Sequence, residues 1–257
     1  MAVRSLAALP VFNERNHVAA VLGEVRRYSN DVLVVDDGSR DGTAEILDQI
    51  RGIVVLRHAR NLGYGAALKS AFDYAVQHGY DVLVTLDCDG QHEPQRIPEF
   101  VAACEGWDLV SGSRYLGDPD NASAAPPERR RINQEITQWL NERLGLKLTD
   151  AFCGFKAYRV PSLRRLRLTE PGYGMPLELW VQAARLGWRI RELAVPLIYL
   201  EEERSFGGAL DNAEVRRRYY YEVLQRSLAA EWESAPVPPV PCGKGQACAG
   251  APQGERP

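Results

Sequence analysis

The residues best suited to chemistry follow an apolar run. Val82 to Leu86 has strand character and ends in Asp87-Cys88-Asp89, with Gln91 two residues further on. Alternate residues of a strand share a face, so Asp87 and Asp89 can converge on one point as the strand ends. Two carboxylates that close repel each other unless a proton or a cation lies between them. Hard oxygen ligands at a strand end suit Mg2+ or Mn2+, ions that keep positions open for substrate phosphates. Gln91 offers a third oxygen. The same residues also suit an acidic turn that only caps the next element.

The elements that must position this pair can be read from periodicity. Strands are expected at Ser5 to Phe12, Val32 to Val35, Val54 to Leu56, Asp81 to Leu86 and Leu109 to Ser113. Helices are expected between them, at Asn13 to Tyr28, Gly42 to Ile50, Tyr64 to His78 and Pro94 to Cys104. In the third of these, Ala67, Leu68, Ala71, Tyr74 and Ala75 keep a 3.6-residue period. Strands alternating with helices imply an α/β fold with right-handed crossovers and a mostly parallel sheet flanked by helices. Such sheets bind ligands at the carboxyl ends of their strands. Three acidic features fall there: Asn13-Glu14, Asp36-Asp37 and Asp87-Cys88-Asp89.

Composition narrows the function classes. The 257 residues are 45% hydrophobic and 25% charged, an ordinary balance for a soluble globular protein. A net charge of -3 gives no argument for a nucleic-acid partner. The longest apolar runs are strand-length, far short of the roughly 20 residues that span a bilayer. The N-terminus runs straight into a strand, without the layout of a signal peptide. Five cysteines without regular spacing point to reduced thiols and a cytoplasmic protein.

The second half is organised differently. Gly117 to Glu128 has loop composition and suits a mobile lid or a surface connection. Arg129-Arg130-Arg131 opens a helix to about Leu144, and Asp150 to Arg159 is compact and aromatic-rich. Met175 to Leu186 reads as a helix and Arg189 to Tyr199 as an edge or bulged strand, since Pro196 lies inside it. A last helix, Asp211 to Trp232, carries Arg216-Arg217-Arg218 and Tyr219-Tyr220-Tyr221. It suits peripheral contact with an anionic membrane surface, or docking on its own domain. Residues 1–233 read as one domain, in a first half (1–116), a loop (117–128) and a second half (129–233). Residues 234–257, Pro/Gly/Ala-rich, read as a disordered tail holding Cys242 and Cys248.

Gly63-Tyr64-Gly65-Ala66-Ala67-Leu68-Lys69-Ser70 looks like a phosphate loop, but Leu68 stands where a P-loop needs glycine. Glycines leading into a helix still leave N–H groups for an anion, which puts Lys69 with the nucleotide-binding residues. Close helix–sheet packing explains the same glycines.

Five motifs in order make a resemblance specific: Pro10-Val11-Phe12-Asn13-Glu14, Val35 to Thr43 (with Asp36-Asp37-Gly38-Ser39), Asp87 to His92, Gly112-Ser113-Arg114-Tyr115 and Gly154 to Arg159. Together they resemble the family-2 glycosyltransferases, and most of all the dolichyl-phosphate mannosyltransferase and polyprenyl-phosphate glycosyltransferase branch. The resemblance implies a GT-A fold, a nucleotide-binding half (1–116) continuous with an acceptor-binding half (129–233), and a nucleotide-sugar donor of GDP-mannose or UDP-glucose type. It implies that Pro10, Phe12 and Glu14 border the nucleotide and that Asp37, with Asp36, accepts from base or ribose. Asp87, Asp89 and Gln91 would hold the metal on the donor diphosphate, and transfer would invert the anomeric carbon. In that branch the acceptor is a lipid phosphate, which Arg114, Arg131, Arg204 and Ser205 would contact.

A phosphate acceptor is already anionic and needs little help from a base, whereas a hydroxyl acceptor does need one. Asp150 and Glu178 are the candidates for that catalytic role. Transfer to a soluble hydroxyl is thus an alternative, as is sugar nucleotidyl transfer. For the latter, Asn13-Glu14-Arg15-Asn16 lacks the expected glycines. A non-catalytic nucleotide-sugar binder would have no need of both Asp87 and Asp89.

Overall fold

A computed structural model describes residues 3–117, 126–198 and 207–231. Seven strands form one sheet in the order β3-β2-β1-β4-β6-β5-β7. They are β1 (Ser5–Val11), β2 (Val32–Asp36), β3 (Val54–Arg57), β4 (Val82–Thr85), β5 (Leu109–Ser113), β6 (Lys156–Arg159) and β7 (Ile190–Ala194). The pairs of β1 with β2 and β4, of β2 with β3, and of β5 with β7 are parallel. β6 runs antiparallel between β4 and β5.

Burial on both sides explains why the central strands are apolar at nearly every position. Alternation divides their side chains between two cores. Leu6, Ala8, Leu33, Val35 and Leu83 face one core. It is covered by α3 (Tyr64–Gln77), α5 (Pro127–Leu144), α7 (Met175–Arg185) and α8 (Ala213–Ala229). Ala7, Leu9, Val34 and Val84 face the other, covered by α1 (Val18–Tyr28), α2 (Thr43–Gln49) and α4 (Ile97–Ala103). A short α6 (Val160–Leu163) follows β6.

Several boundaries differ from expectation for local reasons. Asn13 takes a left-handed φ of 57°, so the chain turns before α1, which begins at Val18 rather than Asn13. The residues 94–104 split into a 3-10 turn at Pro94–Arg96 and α4. β7 is an edge strand and ends at Ala194, before Pro196, which cannot donate to a ladder. β6 lies in the stretch expected only to be compact.

The last helix docks on its own domain. Its Arg216, Tyr220, Val223 and Leu224 are buried, and Arg217 forms a two-pronged pair with Glu135 at 2.6 and 2.8 Å. Among the described residues no helix is long and apolar enough to cross a membrane. Most of the 117–128 loop, the tail from 234 with Cys242 and Cys248, and the candidate residues Arg204 and Ser205 lie outside the described residues.

Candidate active site

A cavity of about 490 Å³ opens at the carboxyl ends of the sheet. Along that edge, sheet order sets the loops after β2, β1 and β4 side by side, with the loop after β5 one strand further on, across β6. Asp37 comes from the first, Phe12 and Glu14 from the second, Asp87, Asp89 and Gln91 from the third, and Arg114 from the fourth. All of them line the cavity, as does Pro10 within β1.

The loops after β1 and β2 brace each other. Asn13 N donates to Ser39 Oγ at 2.9 Å, and Arg40 N donates to Asn13 Oδ1 at 2.9 Å. Asp36 is buried beneath them, where Oδ1 accepts the Ser39 N–H at 3.0 Å and Oδ2 lies 3.5 Å from Arg57 Nε. It shapes the turn and does not line the cavity, which removes it from the expected donor contacts. Asp37 does line it, and it also gathers the next loop. Its carboxylate accepts N–H groups from Leu62 and Gly63 at 2.9 and 2.8 Å and sits 2.6 Å from His58 Nδ1. The Gly63 N–H is therefore taken, and close packing against residues 170–172 accounts for Gly63 and Gly65. Lys69 pairs with Asp73 at 2.9 Å on the exposed side of α3, away from the cavity.

The Asp87–Asp89 pair is held by close backbone and side-chain contacts. Tyr64 Oη donates to Asp87 Oδ1 at 3.0 Å. A Cβ on Gly154 would lie 2.3 Å from Asp87 Oδ2, so the carboxylate packs on bare backbone. The Asp87 N–H is donated to His92 Nδ1 at 3.0 Å, which leaves Nε2 to carry the proton. Burial pushes the His92 imidazole down, but the Cys153 contact and the charges of Asp87 and Asp89 leave it above its ordinary value. Asp89 Oδ1 accepts the Gln91 N–H at 2.9 Å. Among the described residues no three His, Cys, Asp or Glu side chains gather to hold a metal by themselves. Two cavity-lining carboxylates with an amide oxygen fit instead an ion that completes its shell with substrate phosphates, as Mg2+ does.

Arginines line the same cavity. Arg114 forms a fork with fully buried Asp150, Nε to Oδ2 at 2.6 Å and Nη2 to Oδ1 at 2.9 Å. Asn133 Nδ2 and Phe152 N add bonds to Oδ1 at 2.8 and 3.0 Å. Burial alone would raise Asp150, but the Arg114 guanidinium and these donors hold it well below the usual carboxylate range. Burial likewise disfavours the Arg114 charge, and Asp150 more than restores it. Arg129 and Asn133 of α5, and Arg216 and Tyr220 of α8, also line the cavity.

Three expectations are corrected here. Asp150 is no base: it is buried, ionised and saturated by its partners, and it positions Arg114. Glu178 is not at the cavity. It is buried in α7, accepting from Thr169 N at 2.9 Å, Thr169 Oγ1 at 2.9 Å and Glu170 N at 2.8 Å, where it staples the preceding turn. Arg131 is exposed on α5, and Arg129 faces the cavity in its place. Helical phase explains the last: Ile132, Ile136 and Leu140 are the buried stripe, and Arg129 stands one turn before Ile132 and Asn133. Tyr64, Tyr173 and Arg216 are cavity residues that the sequence reading did not place at the site.

Residues 7–167 match the family described as Glycosyl transferase family 2. The chain is a family-2 glycosyltransferase. This glycosyltransferase is 35% identical over 244 residues to the undecaprenyl-phosphate mannosyltransferase of Micrococcus luteus, covering 90% of this chain and 97% of that protein. It is 32% identical over 212 residues to the polyprenol monophosphomannose synthase of Mycolicibacterium smegmatis, covering 78% of each. Glucosyl-3-phosphoglycerate synthase of Mycobacterium tuberculosis, solved with Mg2+ and uridine diphosphate, matches with a TM-score of 0.66 at 21% identity, covering 88% of this chain and 79% of that one. Mannosyl-3-phosphoglycerate synthase of Rubrobacter xylanophilus matches with 0.63 at 16% identity, covering 91% and 78%. At such identities these structures speak for the fold, which is GT-A.

Proposed function

We propose that this glycosyltransferase moves a mannosyl group from a nucleotide-sugar, GDP-mannose in the first instance, to the phosphate of a polyprenyl phosphate. The observation that carries the reading is one cavity lined both by carboxylates (Asp37, Asp87, Asp89) and by guanidinium groups (Arg114, Arg129, Arg216). An anionic acceptor needs the second, and a metal-bound diphosphate needs the first. The mannosyltransferase relatives support the choice of sugar and acceptor.

In this reading Pro10, Phe12, Glu14 and Asp37 border the nucleotide. Asp87 and Asp89, with Gln91, would hold Mg2+ or Mn2+, which neutralises the charge that develops on the departing diphosphate. Arg114, fixed by Asp150, and Arg129 orient the acceptor phosphate through paired N–H donors. A phosphate oxygen attacks C1 of the sugar as the bond from C1 to the nucleoside diphosphate breaks, with inversion. The products are the polyprenyl phosphosugar and the nucleoside diphosphate. No proton has to be removed from the acceptor, so the loss of Asp150 and Glu178 as bases leaves the step intact. The same loss disfavours a hydroxyl acceptor. A polyprenyl tail remains in its bilayer, so the reading implies membrane contact at the cavity mouth, where Phe12 and Tyr173 are 43% and 38% exposed.

The test is a thermal-shift panel of GDP-mannose, UDP-glucose and dTDP-glucose, each with Mn2+ and with EDTA. A ligand that binds the native state raises the melting temperature. We expect a Mn2+-dependent shift with GDP-mannose that Asp89→Ala abolishes while leaving the ligand-free melting temperature in place. A shift that survives both EDTA and Asp89→Ala contradicts the metal assignment, and a shift with another donor alone contradicts GDP-mannose.

A further inference from the structure

Phosphate binding leaves Gly63-Tyr64-Gly65 unexplained, and close packing explains it. A Cβ on Gly63 would lie 2.4 Å from the Pro171 carbonyl oxygen, and one on Gly65 would lie 2.4 Å from that of Glu170. Ala66 N donates to Pro171 O at 3.0 Å. The start of α3 therefore rests directly on the turn 170–174.

From its other side that turn is gripped by α8. Tyr219 Oη donates to Glu170 Oε1 at 2.6 Å and accepts the Gly174 N–H at 3.0 Å. Arg226 Nη2 donates to Glu170 Oε2 at 2.7 Å. A Cβ on Gly172 or Gly174 would come within 2.8 or 3.0 Å of the Tyr219 hydroxyl, so the helix and the turn are in direct contact.

What this clamp presents to the cavity is a pair of rings. Tyr64 and Tyr173 both line it and stack at 5.6 Å between centroids with 17° between planes. The Tyr64 hydroxyl then reaches Asp87 Oδ1 at 3.0 Å. An aspartate's terminal torsion is soft. A hydroxyl on one oxygen and the bare Gly154 backbone against the other restrict it.

We propose that Tyr64 is a positioning residue for Asp87, and that its stack on Tyr173 ties the orientation of this carboxylate to the turn clamped between α3 and α8. The inference rests on the reading in which Asp87 and Asp89 hold a divalent ion. Partners that orient metal ligands are worth about 10- to 100-fold in affinity, and the half-open Asp87 belongs at the low end.

The test is Mn2+ binding to the full chain, read by EPR from loss of the free-ion signal, alone and with GDP or UDP. Tyr64→Phe keeps the ring and removes the hydroxyl. It is expected to weaken Mn2+ affinity about tenfold, with the metal-free melting temperature within about 2 °C of wild type. Tyr173→Ala is expected to weaken it in the same direction, and Tyr173→Phe, which keeps the stack, to restore it. Wild-type Mn2+ binding with Tyr64→Phe equal to it overturns the inference and leaves the metal site standing. Tyr173→Ala equal to wild type overturns the link to the clamp. A wild-type protein that takes up no Mn2+ under any of the three conditions overturns the metal reading and the inference together.

Discussion

Replacing Asp150 by Asn keeps the volume of the side chain and removes its charge. In the folded protein this carboxylate is fully buried and accepts the Arg114 fork, Asn133 Nδ2 and Phe152 N. Asn offers one acceptor oxygen, and its NH2 group meets donors. Breaking one partner of a buried ion pair costs about 3–5 kcal/mol, because the surviving charge is left uncompensated. The Arg114 side chain is 22% exposed and recovers some solvation, so the lower end, about 3 kcal/mol, is expected. For a chain of this size that corresponds to a drop of about 6–12 °C in melting temperature. Urea unfolding followed by tryptophan fluorescence measures it well, since Trp180 Nε1 donates to Ala151 O at 2.8 Å beside the site. The midpoint should fall with an unchanged slope. Because the folded pKa of Asp150 is depressed, its contribution is present above the ordinary carboxylate value of about 4 and is lost as pH falls below it. The gap between wild type and Asp150→Asn should therefore narrow in acid. A loss below about 1 kcal/mol at pH 7, within the range of a surface ion pair, would refute the argument.

Further outcomes follow from the same geometry. Gly154→Ala puts a Cβ 2.3 Å from Asp87 Oδ2; metal-dependent donor binding should weaken by about tenfold or more, measured by calorimetry. Arg129→Ala should raise the KM for the acceptor, whereas Arg131→Ala, on the exposed side of α5, should leave it within about twofold. Burial pushes the Cys104 thiol up to about 12; alkylation at pH 8 should be slow in the folded protein and become fast only on unfolding, as mass spectrometry would report.

Much of the architecture was legible because it rests on long periodic segments. The strand–helix alternation through Ser113 and the acidic residues at strand ends could be read from apolar runs and turn chemistry alone. β6 could not. Four residues, Lys156 to Arg159, are too short to show a period, and the burial of Lys156 runs against its charge. Yet β6 follows directly from Gly154, the residue that lets Asp87 sit where it does. The acidic candidates failed for a different reason. Glu178 is flanked by apolar residues and Asp150 is followed by Ala151 and Phe152, which signals burial but not whether a partner waits there. Arg114 and the Thr169–Glu170 turn are those partners, and both are distant from the acid in sequence or fixed by tertiary contacts. The choice between Arg129 and Arg131 was decided by helical phase, which the Ile132–Ile136–Leu140 stripe carries.

The central claim is transfer of a sugar to a polyprenyl phosphate, and one assay tests it directly. Labelled GDP-mannose is incubated with the full chain, Mn2+ and undecaprenyl phosphate in detergent, and the label is partitioned between water and organic solvent. Label is expected in the organic phase, where it requires the lipid phosphate, is released by mild acid as mannose, and falls sharply with Arg129→Ala. Label that remains in the aqueous phase, with undecaprenyl phosphate present and donor binding intact, would contradict it.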